Sequence, residues 1–243
     1  MPRFKLTIEY NGTRYSGWQI QKNARTVAGE LERATREVTR ASKLELYGSG
    51  RTDAGVHAIA QVAHLDVATT LPPETLRRRI NDELPADINV LSVELASHRF
   101  HARHDAVGRR YLYQISRRRT AFHKPFVWWV RDDLDLSRMR DVAALFTGLQ
   151  DFRSFTDDEP EEKSTRVHVE RIDISERDDL ILIRIDGSHF LWKMVRRIVG
   201  VLVEAGRGSL NPTDIRKMLS QNSGAPARLT APASGLFLEK VSY

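Results

Sequence analysis

Cysteine is absent from the 243-residue sequence, which excludes a disulfide framework and any metal site built on thiolates. Long apolar runs are missing as well, since no stretch approaches the roughly 18 residues that a membrane-spanning helix needs. The first five residues lack the apolar core of a secretory signal peptide. These absences predict a cytoplasmic protein with no membrane partner, and they argue against a secreted disulfide-rich domain.

Acidic residues are fewer than basic ones, 32 against 38, and the formal net charge is +6. This balance favours an anionic partner, and nucleic acid rather than a membrane, because the basic residues do not lie along one amphipathic helix. Most of the basic residues are arginine, which pairs bidentately with phosphate and stacks on bases, although genome composition also raises arginine content. A hydrophobic content of 41% supports a buried core.

Periodicity in the first part of the chain predicts four strands and two helices. In chain order the predicted elements are a strand over 4–10, a helix over 27–38 capped by Thr26, strands over 44–47 and 59–67, a helix opened by Pro72-Pro73 with Leu76, Ile80 and Leu84 on one face, and a strand over 91–95. This β-α-β-β-α-β order is typical of ferredoxin-like domains.

The order recurs in the second part of the chain. The predicted elements are a strand over 107–115, a helix over 136–146, strands over 167–174 and 180–185, a helix with Phe190, Met194, Ile198 and Val201 on one face, a short helix over 212–219 and a strand over 236–241. We therefore predict an α+β protein of two tandem ferredoxin-like halves with antiparallel sheets, residues 1–105 and 106–243, flanking a cleft where a ligand can bind.

The stretch 48–58 is the most informative loop. It holds three glycines in eight residues, together with Arg51 and Asp53, and it connects two predicted strands. Glycine permits positive φ and close approach to a ligand, and ten residues is long for a hairpin connection. The pattern fits a functional loop, and it also fits a turn in which Asp53 caps its own backbone.

The string Gly-Arg-Thr-Asp-Ala-Gly-Val-His over 50–57 resembles the signature of the tRNA pseudouridine synthase I family, whose members isomerise uridines in the tRNA anticodon stem-loop. The stretches that resemble other motifs of the family are 10–19, 26–32, 100–103, 109–113, 151–155, 190–200 and 231–243. Arg197 departs from the family pattern, which has a polar and often an amide residue there. The departure leaves the reaction untouched and bears on RNA contacts.

The resemblance implies two tandem α/β domains around a positively charged cleft. It implies an isomerase for uridines 38, 39 and 40 of tRNA that needs no cofactor and no metal. It also implies a homodimer in which one tRNA touches both subunits. The expected partners are therefore tRNA and a second copy of the chain.

The resemblance assigns roles to four residues. It implies that Asp53 is the catalytic nucleophile and that Arg196 pairs with it, whereas the helical spacing of Arg196 with Lys193 equally fits phosphate binding. It implies that Tyr111, rather than Tyr113, stacks on the target uracil, although alternating tyrosines are also ordinary strand residues. It implies that Arg51 fills the space that the extruded uridine leaves, and a local salt bridge with Asp53 is the plain alternative.

Basic residues concentrate between positions 96 and 124, where eight cations face one acid, and this favours a phosphate track. The predicted RNA-binding residues are Arg77, Arg78, Arg103, Arg109, Arg110, Lys193 and Arg197. His98, His101 and His104 recur every third residue, but their spacing does not favour zinc and no acidic or cysteine cluster accompanies them. The acidic run over 157–162 is predicted to be a solvated loop away from RNA.

Two other functions remain open from the residues alone. One is a non-catalytic RNA-binding module, since paired ferredoxin-like domains suit that role. The other is a carboxylate-dependent hydrolase that acts on a nucleoside and releases free uracil. Nucleotide hydrolysis is disfavoured, because the glycine-rich loop lacks the lysine and the following helix of a phosphate-binding loop.

Overall fold

The computed structural model describes residues 1–158 and 164–243, and it is a mixed α/β structure with mostly antiparallel strand pairing. The chain divides into two compact units, Met1–Val107 with Phe237–Tyr243, and Gly108–Leu236. The expected boundary near residue 105 lies close to this division. The C-terminal strand is expected in the second half, but from Phe237 onward it clusters with the first unit.

The first unit contains the six elements in the predicted order, followed by the C-terminal strand. Their bounds are β1 Arg3–Tyr10, α1 Val27–Thr39, β2 Leu44–Gly48, β3 His57–Val67, α2 Pro73–Glu83, β4 Ile88–Ala96 and β10 Leu236–Ser242. Strand β1 is antiparallel to both β3 and β4, and β2 is antiparallel to β3, which gives the order β4-β1-β3-β2. Strand β10 runs parallel to the start of β3, where Phe237 pairs with His57.

The first helix forms as its periodicity predicts. Val27, Leu31 and Ala34 are buried along one face of α1. The Thr26 hydroxyl accepts a hydrogen bond from the Gly29 amide at 3.2 Å, so the predicted cap is confirmed. A cap of this kind satisfies one of the amides that the first helical turn leaves without a partner.

The closing strand β4 differs from its simple alternating pattern. Leu91 lies opposite a register shift, because Val90 pairs with Ile8 while Ser92 pairs with Thr7. The extra residue reverses the alternation, so Ile88 and Val90 are buried before it while Leu91 is exposed. Leu95, expected on the inner face with Leu91, is 68% exposed near the end of the strand.

The second unit contains the other predicted elements and several short ones that the sequence pattern missed. The bounds are β5 Gly108–Ser116, β6 Trp128–Trp129, α3 Leu136–Ala143, β7 Gly148–Asp151, β8 Arg166–Arg177, β9 Leu180–Gly187, α4 Met194–Gly206, α5 Pro212–Ser220 and α6 Ala225–Arg228. Strands β7, β8, β9 and β5 are antiparallel neighbours in that order, and the two-residue β6 runs parallel to β5. Helix α4 is buried along almost its whole length. Phe190, expected on the long helix, precedes it, because α4 begins at Met194.

Candidate functional site

The loop that carries Asp53 is held by the segment that follows β1. The amide of Trp18 donates to the carbonyl of Thr52 at 3.1 Å, and the amide of Gly55 donates to the carbonyl of Tyr15 at 3.3 Å. The hydroxyls of Tyr10 and Thr52 are hydrogen-bonded at 2.8 Å, and both residues are buried. Two stretches that are separate in sequence, 10–19 and 50–57, therefore form one local structure.

Two glycines make this close approach possible. A Cβ on Gly12 would lie 1.9 Å from the carbonyl oxygen of Val56, which is far inside van der Waals contact. A Cβ on Gly17 would lie 2.4 Å from the carbonyl oxygen of Thr52, and Gly17 has a φ of +87°. Only glycine fits such positions without moving the backbone of the loop.

The base of the loop is fixed from inside the sheet. The Ser49 hydroxyl donates to the side-chain oxygen of Gln61 at 2.7 Å, and the Gln61 amide group donates to the carbonyl of Gly50 at 3.1 Å. The Ser49 amide donates to the carbonyl of Val62 at 2.7 Å. Ser49 and Gln61 are both buried, so this polar pair is satisfied within the first unit.

Asp53 and Arg51 lie at the tip of this rigid base. Asp53 is half-buried, and its own carbonyl accepts from the Val56 amide at 3.1 Å to close the turn. Arg51 is exposed and forms no ion pair with Asp53 within the described part of the chain, so the salt-bridge alternative for Arg51 finds no support. The loop thus presents one carboxylate and one arginine on a backbone that neutral hydrogen bonds hold in place.

The two tyrosines of β5 have different environments. Tyr113 is fully buried, donates its hydroxyl to the carbonyl of Pro232 at 2.8 Å, and has a pKa raised by burial. Tyr111 is half-buried and meets the ring of Phe190 edge to face at 5.2 Å between centroids. Tyr113 is therefore a core residue, whereas part of the Tyr111 side chain reaches the surface.

Arg196 lies in the first turn of α4 and is oriented by the segment before β10. Its Nε donates to the carbonyl of Ala231 at 2.7 Å, and the Ala231 amide donates back to the Arg196 carbonyl at 3.0 Å. One turn further along, a Cβ on Gly200 would lie 1.6 Å from the carbonyl oxygen of Leu229. The absence of a side chain at Gly200 therefore lets this segment reach the helix and fix the direction of Arg196.

The burial of Arg197 contradicts the prediction that this residue contacts RNA. Its side chain is 4% exposed and forms an ion pair with Asp157, while its Nη1 reaches the carbonyl of Ser154. Lys193 donates to the other carboxylate oxygen of Asp157 at 2.7 Å. We call this arrangement of Asp157 with Lys193 and Arg197 the Asp157 clamp. Arg197 differs from the prediction because it lies on the face of α4 that packs into the core, and not on a face that is open to solvent.

The carboxylate of Asp158 also binds the segment that leads into α4. Asp158 accepts a hydrogen bond from the backbone amide of Trp192 at 2.9 Å, just before the helix begins. The pKa of Asp157 is lowered, first by the hydrogen bond from Lys193 and then by Arg197. Asp157 is exposed, as predicted for a solvated run, and Asp158 is partly exposed, but both carboxylates also bind the start of α4. The rest of the run over 159–162 lies outside the described residues.

The other predicted RNA contacts fall into two groups. Arg78 and Arg103 are exposed, and Arg78 forms no ion pair within residues 1–158 and 164–243. Arg77, Arg109 and Arg110 make local contacts: Arg77 pairs with Glu74 at 2.6 Å, Arg110 with Asp186 at 2.6 Å, and Arg109 donates to the carbonyl of Ser188 at 2.9 Å. Exposure alone favours Arg78 and Arg103 for phosphate binding.

Two of the recurring histidines, His101 and His104, form an aromatic cluster with His64 and Tyr47. His101 lies 4.7 Å from His64 and 4.2 Å from His104 between ring centroids, and Tyr47 stacks on His64. The Ala102 amide donates to Nδ1 of His64 at 3.1 Å, and burial lowers the pKa of His64 to about 4. No group of three metal-ligating side chains is positioned to hold an ion among the residues that the structure describes.

A family model described as tRNA pseudouridine synthase matches residues 6–105 and 142–243. The chain belongs to this family. Similar curated proteins include tRNA pseudouridine synthase A 2 of Clostridium tetani, 37% identical over 98% of this chain and 98% of its own length. Another is tRNA pseudouridine synthase A of Rhodopseudomonas palustris, 41% identical over the full length of both chains. That of Agrobacterium fabrum is 38% identical over 100% of this chain and 93% of its own.

The match covers the loop over 48–58 and helix α4. Arg51 and Asp53 lie in the first matched stretch and Arg196 in the second, whereas Tyr111 lies between them. Among the described residues no helix has the length and apolar character needed to cross a membrane.

Sequence reasoning missed the close contacts of two glycines and the Asp157 clamp. Gly12 and Gly17 lie in a stretch that the resemblance already marked, so their glycines were a usable signal. The Asp157 clamp left no local signal, because its partners are 36 and 40 residues away along the chain.

Proposed function

We propose that this chain converts uridine to pseudouridine in the tRNA anticodon stem-loop, at positions 38, 39 and 40, with Asp53 as the nucleophile. Membership of the pseudouridine synthase family makes the chain an RNA isomerase that acts on uridine in tRNA. The family match over both stretches is the observation that carries the proposal. The positions and the role of Asp53 are the finer part. The hydrogen bonds that hold the Asp53 loop support the role of Asp53, and the family resemblance supports the positions.

The reaction needs no outside reagent. The N1–C1′ bond of uridine breaks, the uracil turns, and a C5–C1′ bond forms, while C5 loses its proton and N1 gains one. Atoms and electrons balance without an oxidant, a metal or a nucleotide, so the proposed enzyme uses no cofactor. The protein must stabilise the sugar after the bond breaks, hold the detached base and keep competing water away.

The four proposed active-site residues divide this work. Asp53 acts on the reacting nucleotide from the tip of a rigid base, and Arg196 keeps its carboxylate ionised by pairing with it. Tyr111 stacks on the uracil, which its partial exposure and its support from Phe190 favour. Arg51 enters the space of the extruded uridine, consistent with its exposed side chain.

The wider proposal concerns architecture and partners. The strand order β4-β1-β3-β2 in the first unit supports a ferredoxin-like half, and two such halves flanking a basic cleft are the arrangement that we propose. The enzyme works in the cytoplasm as a homodimer on tRNA. The RNA contacts that we retain are Arg77, Arg78, Arg103, Arg109, Arg110 and Lys193.

One incubation separates this function from its rivals. Unmodified tRNA is incubated with the enzyme and its nucleosides are then analysed by mass spectrometry. Pseudouridine at positions 38–40 is the expected product. Free uracil would indicate a hydrolase, and tight binding with unchanged uridines would indicate an RNA-binding module.

Asp53→Asn tests the nucleophile. It should abolish pseudouridine formation while tRNA affinity stays within about twofold, because the change removes one charge and keeps the shape. Asp82→Asn is the matched control, since Asp82 is an exposed carboxylate on α2 outside the loop. Turnover that survives in Asp53→Asn would remove Asp53 from this role.

Arg196→Lys and Arg196→Ala test the partner. If the Arg196 charge supports the Asp53 carboxylate, Arg196→Ala should lower turnover more than it lowers tRNA affinity. Arg196→Lys keeps the charge and should retain part of the turnover. A loss confined to tRNA affinity would assign Arg196 to phosphate binding.

A further inference from the structure

One surface of the Gly108–Leu236 unit combines exposed aromatic rings with two basic side chains that have no ion-pair partner among the described residues. Its members are Arg119, Phe122, Lys124 and Trp129, and we call it the Phe122 surface. Phe122 is 90% exposed and Trp129 is 43% exposed, which is unusual for such large apolar side chains. The guanidinium of Arg119 lies over the Trp129 ring, 6.0 Å from its centroid.

A cavity of about 530 Å³ opens at this surface, lined by Arg119, Thr120, Ala121 and Lys124. It is open to solvent, so it is a surface depression rather than an enclosed pocket. The preceding arginines face acids, since Arg117 pairs with Glu176 and Arg118 with Asp179. Neither Arg119 nor Lys124 has an ion-pair partner within the described ranges, so the cavity carries two positive charges that no carboxylate offsets.

The segment that carries these residues is tied to the fold at both ends. Strand β6 pairs with the end of β5, and the Val130 amide donates to the Ser116 carbonyl at 3.1 Å. The Ser234 hydroxyl donates to the Val127 carbonyl at 3.2 Å, and the Phe126 amide closes a turn onto His123 at 2.8 Å. The exposed Phe122 ring therefore belongs to a supported loop.

We propose that the Phe122 surface binds an unpaired nucleotide of the tRNA substrate. A base stacks on Phe122, and its flanking phosphates bind Arg119 and Lys124. The two cations select an anionic partner and disfavour a second copy of the chain, because a symmetric contact would bring the same positive charges together. The surface lies between the two matched stretches, so the family match assigns nothing to it.

This inference rests on the proposed activity on tRNA, and its test measures binding separately from turnover. Phe122→Ala should raise the Kd for unmodified tRNA about tenfold, the low end of what loss of one stacked base costs. Phe122→Trp should bind as tightly as the unchanged protein, because it keeps a ring. Phe122 packs against little, so the alanine variant should keep its Tm.

Salt dependence tests the two cations. Removing two phosphate contacts with Arg119→Ala/Lys124→Ala should reduce the slope of log Kd against log salt by about 1.5. The control is Arg216→Ala/Lys217→Ala, which removes the same charge from an exposed part of α5. The control should change the slope by less than half as much.

Three outcomes would overturn the proposal. They are an unchanged Kd in Phe122→Ala, equal slope changes in the two double variants, and a change of sedimentation mass in Phe122→Ala that indicates a contact between copies. Pseudouridine formed by the unchanged protein keeps the two claims apart. If pseudouridine forms and Phe122→Ala binds normally, only this inference fails, and if none forms, the proposed function fails first.

Discussion

The loop that carries Asp53 and the helix that carries Arg196 are held within their units by different forces. Neutral hydrogen bonds and close backbone contacts fix the loop, through Tyr10, Thr52 and the glycines at 12 and 17. At the start of α4 the charged Asp157 clamp adds to its apolar burial. The loop should therefore be sensitive to added volume, and the helix to lost charge.

The largest loss of folding free energy is expected from Asp157→Asn. It leaves the buried Arg197 guanidinium without its carboxylate, which costs about 3 kcal/mol. For a chain of this size, thermal unfolding should show a Tm lower by about 6–12 °C. The control is Asp173→Asn, which breaks the exposed ion pair with Arg171 and should cost under about 1 kcal/mol.

A compensating variant makes this prediction sharper. Asp157→Asn/Arg197→Gln removes both charges and leaves two amides that can hydrogen-bond. The double variant should therefore recover at least half of the decrease in Tm that Asp157→Asn causes. If Asp157→Asn and Asp173→Asn cost the same, the clamp contributes no more than a surface pair. The start of α4 would then be held by its apolar contacts and by the hydrogen bonds to Ala231 and Asp158.

The sequence predicted the elements that depend on local pattern. Helix α1 needed only its apolar spacing and the Thr26 hydroxyl, and both act within one or two turns. The reversal at Leu91 could not be predicted, because it depends on how β4 pairs with β1. The alternation of apolar residues within one strand contains no information about a register shift against its neighbour.

The candidate site shows the same limit. Glycines in both stretches pointed to the loop, although nothing in the sequence showed that Gly12 lies against Val56. Charge runs are usually solvated, and Asp157 is exposed, so the pattern gave no sign of its contact with α4. Only the folded chain brings Asp157 to a buried arginine 40 residues away, and that pairing changes the roles of both residues.

Gly12→Ala should destabilise the loop by about 2 kcal/mol, because its Cβ would overlap the carbonyl of Val56. The displaced loop should also lower turnover about 100-fold, since a shift of roughly 1 Å at reacting groups has effects of that order. Tm and single-turnover assays measure the two losses. The control is Gly50→Ala in the same loop, where an added Cβ would meet no atom within 4 Å, and Tm should not move.

A pH effect of about 1 kcal/mol is expected from His64, which is 1% exposed and has its pKa lowered to about 4 by burial. In the unfolded chain His64 takes up a proton near pH 6.5, whereas in the folded chain it does so only near pH 4. The contribution of His64 to the free energy of unfolding is therefore fully present above pH 6.5, and it is lost as the pH falls toward 4. At pH 5.5 the Tm should be about 2–4 °C below its value at pH 7.5. His64→Gln should remove most of this difference, and an unchanged difference would assign it to other groups.

The smallest effect is expected from Lys193→Ala, which removes the other cation of the clamp. The hydrogen bond from Lys193 is the main cause of the lowered pKa of Asp157, so an NMR titration should show that pKa rising toward its ordinary value. The cost at pH 7 should nevertheless stay below about 1 kcal/mol, because the two side chains are 32% and 35% exposed and regain water. A loss as large as that of Asp157→Asn would mean that the exposed lysine, and not the buried Arg197, holds the start of α4.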